Sequence, residues 1–177
     1  LRLLGAHQAL NAAGAVAAAL AVWPETSDEA IVAGLESVPA LGGRGAVKTI
    51  GSWLVFDDGY NANRASTVAA IQTASERAGR EGRRFVCVLG EMRELGEHSD
   101  EEHRQVGLAA KEIGAWVLAF GPMATPIATA SGGVHETNFE SAVAILQEEL
   151  QEGDVILVKG SRGMRMERFI EHWERNL

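Results

Sequence analysis

The chain has few means of locking itself covalently or of entering a membrane. One cysteine, Cys87, stands among 177 residues. No internal disulfide can form, and the surrounding run Phe85-Val86-Cys87-Val88-Leu89 marks it as a small buried hydrophobe, not a nucleophile. The longest alanine-rich stretch, Ala12 to Val22, is short for a bilayer span and has no basic segment ahead of it. A cytoplasmic protein without membrane contact is expected. Positive charge is also scarce: 16 Lys and Arg against 24 Asp and Glu leave a net charge of −8, which argues against a nucleic-acid surface. The densest basic group, Arg77 to Arg84, reads as a solvated helix end and turn. Aromatic residues are few, and Trp23, Trp53, Trp116 and Trp173 fall at predicted helix or strand positions, as packing residues do. A P-loop is lacking too. Its nearest approach, Gly42 to Thr49, has Val47 where the motif needs glycine, and no strand precedes it.

What is present is an alternation of strand and helix patterns. Strands are predicted over 46–50, 53–58, 85–90, 116–120, 134–137 and 154–159. Helices are predicted over 65–79, 99–113, 122–130, 139–150 and 163–175. Continuous apolar strands such as Val155-Ile156-Leu157-Val158 suit a parallel sheet covered on both faces. The fold class is therefore α/β, a Rossmann-like, doubly wound, mostly parallel sheet. Ahead of it, the alanine-rich helix stops at Pro24, and Ser27 caps a second helix running to about Glu36. Two such helices cannot form a core alone. Residues 1–40 are expected to be the tail of a truncated central domain, joined through the hinge Pro39 to Gly45 to a domain over 41–177.

Three polar loops fall at predicted strand carboxyl ends, where open α/β sheets bind ligands. The first, Asp57-Asp58-Gly59-Tyr60-Asn61-Ala62-Asn63, offers two acids suited to ribose hydroxyls or a metal-bound phosphate; an Asx-turn with Ser66 as helix cap is equally compatible. The second, Leu89-Gly90-Glu91-Met92-Arg93-Glu94-Leu95-Gly96, holds an arginine able to fork onto a carboxylate. The third, Val158-Lys159-Gly160-Ser161-Arg162, is a candidate anion-binding turn at a helix start. Acidic and basic loops together suit a substrate carrying both an ammonium and a carboxylate. His98 and His103 are five apart and do not share a helix face as metal ligands would; Ser99 and Glu102 instead predict a capping box.

These three loops, with Met166-Glu167 and with Gly5-Ala6-His7-Gln8-Ala9-Leu10-Asn11, resemble the Mur ligase family along essentially the whole chain. Within it the resemblance is strongest to the members that add D-alanyl-D-alanine to UDP-N-acetylmuramoyl-tripeptide. It implies the C-terminal part of a three-domain, monomeric enzyme of peptidoglycan synthesis that uses ATP and magnesium and proceeds through an acyl phosphate. It also implies roles by position. Asn11, with His7 and Gln8 beside it, would contact adenine; Arg44 would approach the phosphates; Asp58 would bind ribose, with Tyr60, Asn61 and Asn63 completing the loop. Arg93, Lys159, Ser161 and Arg162 would serve the amino substrate.

Gly59, Arg64 and Gln8 depart from the family pattern of serine, proline and asparagine, and Gly59 removes a hydroxyl from the first loop. No residue of this stretch is expected to be catalytic or to bind the metal, and the chain alone is expected to be inactive. A folylpolyglutamate synthetase-like ligase, a different Mur enzyme and a non-catalytic Rossmann-like binding module are the alternatives.

Overall fold

The computed structural model of the chain describes residues 6–38 and 43–176. It begins with two helices, α1 (Ala6–Val22) and α2 (Asp28–Ser37). Ser27 caps α2 as expected, its hydroxyl accepting from the Ala30 amide at 3.3 Å. Neither helix is well covered: α2 buries no residue, and Leu10, Val22 and Trp23 are largely exposed. Trp23 is therefore not a packing residue among the described part of the chain. Hinge residues 39–42 lie outside the described residues.

From Ala46 the chain builds one mixed sheet from β1 (Ala46–Ile50), β2 (Trp53–Asp58), β3 (Phe85–Gly90), β4 (Trp116–Phe120), β5 (Val134–Glu136) and β6 (Val155–Lys159). The order across it is β1-β2-β6-β3-β4-β5, with only the β1–β2 pair antiparallel. Helices α3 (Arg64–Glu81), α4 (Ser99–Glu112) and α5 (Thr125–Ser131) cover one face. On that side Ile71, Ala74, Val106 and Ile127 pack on Phe56, Cys87, Leu89 and Leu157. Helices α6 (Phe139–Glu149) and α7 (Glu167–Asn176) cover the other, where Leu146, Phe169 and Trp173 pack on Val55, Val88, Leu118 and Val158. Period-two alternation sends adjacent strand residues to opposite faces, both buried, hence the unbroken apolar runs. Cys87 lies fully inside, and burial pushes its thiol far above the usual range.

Three expectations need correction. Ser99 and Glu102 form no capping box, because a 3₁₀ turn over Gly96–His98 runs straight into α4 and leaves no extended cap residue. The last helix starts at Glu167 and not near 163: a 3₁₀ turn spans Arg162–Met164, and Arg165 takes a left-handed conformation (φ 51°) before α7 begins. Within Arg77 to Arg84, Arg77 and Arg80 make exposed ion pairs, but Arg84 clamps buried Asp154 with a bidentate fork at 2.9 and 2.7 Å.

Candidate functional site

Strand β6 enters between β2 and β3, so the loops after these three strands share the carboxyl edge of the sheet. The third loop leaves the sheet between the first and the second. Asp58 and Lys159 occupy paired positions at the ends of β2 and β6. The Lys159 ammonium lies 2.5 Å from Asp58 Oδ2 and donates to the Asn61 carbonyl at 2.9 Å. Its side chain is only 3% exposed, against 22% for Asp58. A buried ammonium needs a counter-charge and acceptors. Lys159 therefore joins the first and third loops and does not stand open to an anion, as the sequence had suggested.

The first loop is shaped by its own side chains. Asn61 Oδ1 accepts from the Ala62 amide at 2.9 Å. Asn63 caps α3 by accepting from the Ser66 amide at 2.8 Å, while the Ser66 hydroxyl accepts from the Asn63 amide. The cap of α3 is therefore Asn63 and not Ser66 as expected; Ser66 is the third helical residue and closes a capping box that fixes where the loop ends. Gly59 lies close to α7, and a Cβ there would come within 3.1 Å of the Met166 Cβ. The missing Cβ leaves room for that approach. Tyr60 is exposed and carries the Arg44 guanidinium 3.9 Å from its ring centre. Two backbone bonds, Gly45 amide to Asp57 carbonyl and Tyr60 amide to Gly43 carbonyl, hold the turn before β1 against this loop. Arg44 is thus carried by the sheet domain, over the Tyr60 ring.

Asp57 points the other way. It is buried, 4.0 Å from the Lys48 ammonium, and its Oδ1 has no hydrogen-bond partner among the described residues. Burial pushes its carboxyl up from the ordinary value, with the Gly43 amide, Lys48 and the Gly59 amide opposing that shift and the Asp58 charge adding to it. A carboxyl raised in the folded state stabilises below its unfolded value, and that contribution fades as pH rises through the raised value. Asp57→Asn is therefore expected to gain stability over the parent as pH climbs from about 4 to 7. Urea midpoints of the two proteins across that range check it; a gap that widens toward acid would contradict the assignment.

On the second loop the Arg93 amide donates to Ser161 Oγ at 2.9 Å, and the Arg93 side chain donates to Glu91 Oε1 at 3.0 Å. Ser161 is buried, and its amide bonds the Glu91 carbonyl while its Oγ accepts from Arg93, so it ties the second and third loops together. Arg162 is exposed and pairs with Glu167 at 3.0 Å. His103 is fully buried; its Nε2 accepts from the Met92 amide at 2.8 Å, and its Nδ1 faces the Ser99 carbonyl at 2.7 Å. It is a brace for the second loop. Neither Glu91 nor His103 could be given this role from local pattern, because their partners come from other loops.

Beneath the first loop a narrow cleft is lined by Gln8, Gly45, Phe56, Asp58, Ala70, Thr73 and Leu157. Gln8 and Asp58 thus face one space, from α1 and from β2. Asn11, one helical turn on, is exposed and donates to Gln8 Oε1 at 3.2 Å. His7 belongs to α1, but its side chain lies outside the described residues.

The family profile described as Mur ligase, glutamate ligase domain, matches residues 43–162. The chain belongs to the Mur ligase family. Among relatives, the UDP-N-acetylmuramoyl-tripeptide–D-alanyl-D-alanine ligase of Escherichia coli K12 is 38% identical over 181 residues, covering 99% of this chain and 39% of the relative. Solved structures agree. MurF from Acinetobacter baumannii has a TM-score of 0.83 at 30% identity, covering 97% of this chain and 38% of that one. MurF ligase from Thermotoga maritima in complex with ADP has a TM-score of 0.77 at 30% identity, covering 98% and 39%. This Mur ligase chain thus spans 39% of the length of the Escherichia coli relative. No helix among its described residues is long and apolar enough to cross a membrane.

Proposed function

We propose that this chain is the C-terminal part of an ATP-dependent ligase that adds D-alanyl-D-alanine to UDP-N-acetylmuramoyl-tripeptide. The observation that carries the reading is the 38% identity to an enzyme of that name across 99% of the chain. In this reading residues 1–40 are the closing helices of a central ATPase domain, and 41–177 form the domain that closes upon it. The poorly covered α1 and α2 fit a piece whose packing partner belongs to the rest of the enzyme.

The chemistry would run in two steps. The γ-phosphoryl group of ATP passes to the terminal carboxylate of the UDP-linked peptide, giving an acyl phosphate and ADP. The dipeptide amine then attacks the acyl carbon, an amide bond forms, phosphate leaves, and the amine's proton is lost to a base. This chain would bind and orient. Asn11 and His7 are assigned to adenine, Asp58 to the ribose hydroxyls, Arg44 to the phosphates, and Tyr60 to the platform that holds Arg44, with Asn61 and Asn63 shaping the loop. Gln8 and Asp58 opening onto one cleft support that grouping. Exposed Arg93 and Arg162 are assigned to the dipeptide side, and Lys159 and Ser161 to the loop that carries them. Closure about the hinge would exclude water from the acyl phosphate. Among the described residues no three His, Cys, Asp or Glu side chains cluster to hold a metal.

The test uses the full-length protein. ADP release is measured with UDP-N-acetylmuramoyl-tripeptide, with and without D-alanyl-D-alanine. Turnover that requires the dipeptide supports the reading. Turnover indifferent to it, or driven by glutamate or another amino acid, moves the protein to a folylpolyglutamate synthetase-like or other Mur activity.

A further inference from the structure

Two residues without an assigned role, Glu91 and Gly163, act on one guanidinium. Glu91 is buried, and both its carboxylate oxygens are engaged. Oε1 accepts from Arg93 Nε at 3.0 Å, and Oε2 accepts from the Met123 amide at 3.1 Å. Its backbone is held as well: its amide donates to the Phe120 carbonyl, and its carbonyl accepts from the Ser161 amide, each at 3.1 Å. Gly121, with φ 113°, lets Oε2 approach, since a Cβ there would come within 3.0 Å of that oxygen. Glu91 cannot swing. Arg93 in turn lies across Gly163, where an added Cβ would overlap the guanidinium, and its Nη2 is 3.6 Å from Met164 Sδ. One edge of the fork is thus tied, one face is supported, and half of the side chain remains exposed at the sheet's carboxyl edge.

A buried carboxylate paired with a half-exposed arginine contributes little to stability. It is a sound way to aim a cation, because a fork held in place loses less freedom on gripping a carboxylate. We propose that Glu91 and Gly163 are positioning residues. They fix Arg93 to receive the free carboxylate of the amino component, and so make the loop after β3 a specificity determinant for that end of the substrate. The inference rests on the amide-ligase reading given under Proposed function.

The experiment compares D-alanyl-D-alanine with its C-terminal amide in the full-length enzyme, reading KM and kcat for each. The parent should prefer the acid through KM. Glu91→Gln and Gly163→Ala should each raise KM for the acid about tenfold, with kcat changed far less and KM for the amide unmoved. Gly163→Ala alters no charge, and its backbone is not in the left-handed region, so it displaces the guanidinium alone. Arg93→Gln should match these effects, and adding Glu91→Gln to it should change nothing more. Should Gly163→Ala fail to fold, Arg93→Lys keeps the charge without the fork and should show the same loss. Dipeptide-dependent turnover with an unchanged acid-to-amide ratio in the variants overturns this inference alone. Loss of dipeptide dependence in the parent overturns the ligase reading and this inference with it.

Discussion

Asp58→Ala is expected to cost the folded chain about 3 kcal/mol, as when one partner of a buried ion pair is removed. The Lys159 ammonium would remain buried with the Asn61 carbonyl as its one acceptor among the described residues. Lys159→Met should cost less, because the carboxylate left behind is partly exposed and keeps some water. The double variant should recover most of the loss, since an apolar pair often replaces a buried ion pair at no net cost. Urea denaturation of the four proteins gives the cycle, and additive losses would deny the coupling. The consequence for assays is direct. An Asp58 or Lys159 variant that loses ligase activity has not by itself revealed a ligand contact; the double variant must also be assayed. If stability returns and activity does not, Asp58 or Lys159 touches substrate.

Phe169→Ala should be about as costly, roughly 3–5 kcal/mol for a fully buried phenylalanine. Phe169 meets Phe120 edge-on with ring centres 5.3 Å apart, and Phe139 at 4.9 Å. It also anchors α7 against β4 and β6. Since only Arg165 and Met166 separate α7 from the Arg162–Met164 turn, its loosening should release the third loop as well. Hydrogen exchange is expected to accelerate at Met164, whose amide bonds the Ser161 carbonyl within that turn, and at Ser161, whose amide bonds the Glu91 carbonyl of the second loop. A loss below about 1 kcal/mol, or faster exchange confined to α7, would separate the helix from the loop.

Much of the architecture was legible in advance because it rests on local periodicity. All six strands fall where the sequence pattern predicted them, with ends shifted by no more than a residue or so. The apolar faces of α3 and α6 follow from spacing alone. Side-chain partners were not legible, because they depend on strand order. Nothing in Val155–Lys159 says that this strand lies between β2 and β3, and without that fact Lys159 reads as a free cation. Ser161 and Glu91 were misjudged or passed over for the same reason: each bonds to a loop far away in the chain. At Ser99 a local rule failed locally, since the preceding 3₁₀ turn had already occupied the cap position.

The late position of β6 has a consequence for how the chain comes into being. Emerging from the ribosome, residues 46–136 can pair as β1 with β2 and as β3 with β4 and β5, but these two pieces share no strand contact of their own. Only Val155–Lys159 joins them, by parallel pairing on both sides. Such long-range parallel pairing is slow and leaves unpaired strand edges open until it is complete. Asp58 therefore waits about a hundred residues of synthesis for its lysine. The carboxyl edge of the sheet acquires its charge pattern in the closing moments of folding, and a nascent chain stalled before Val155 would hold two half-sheets and no site.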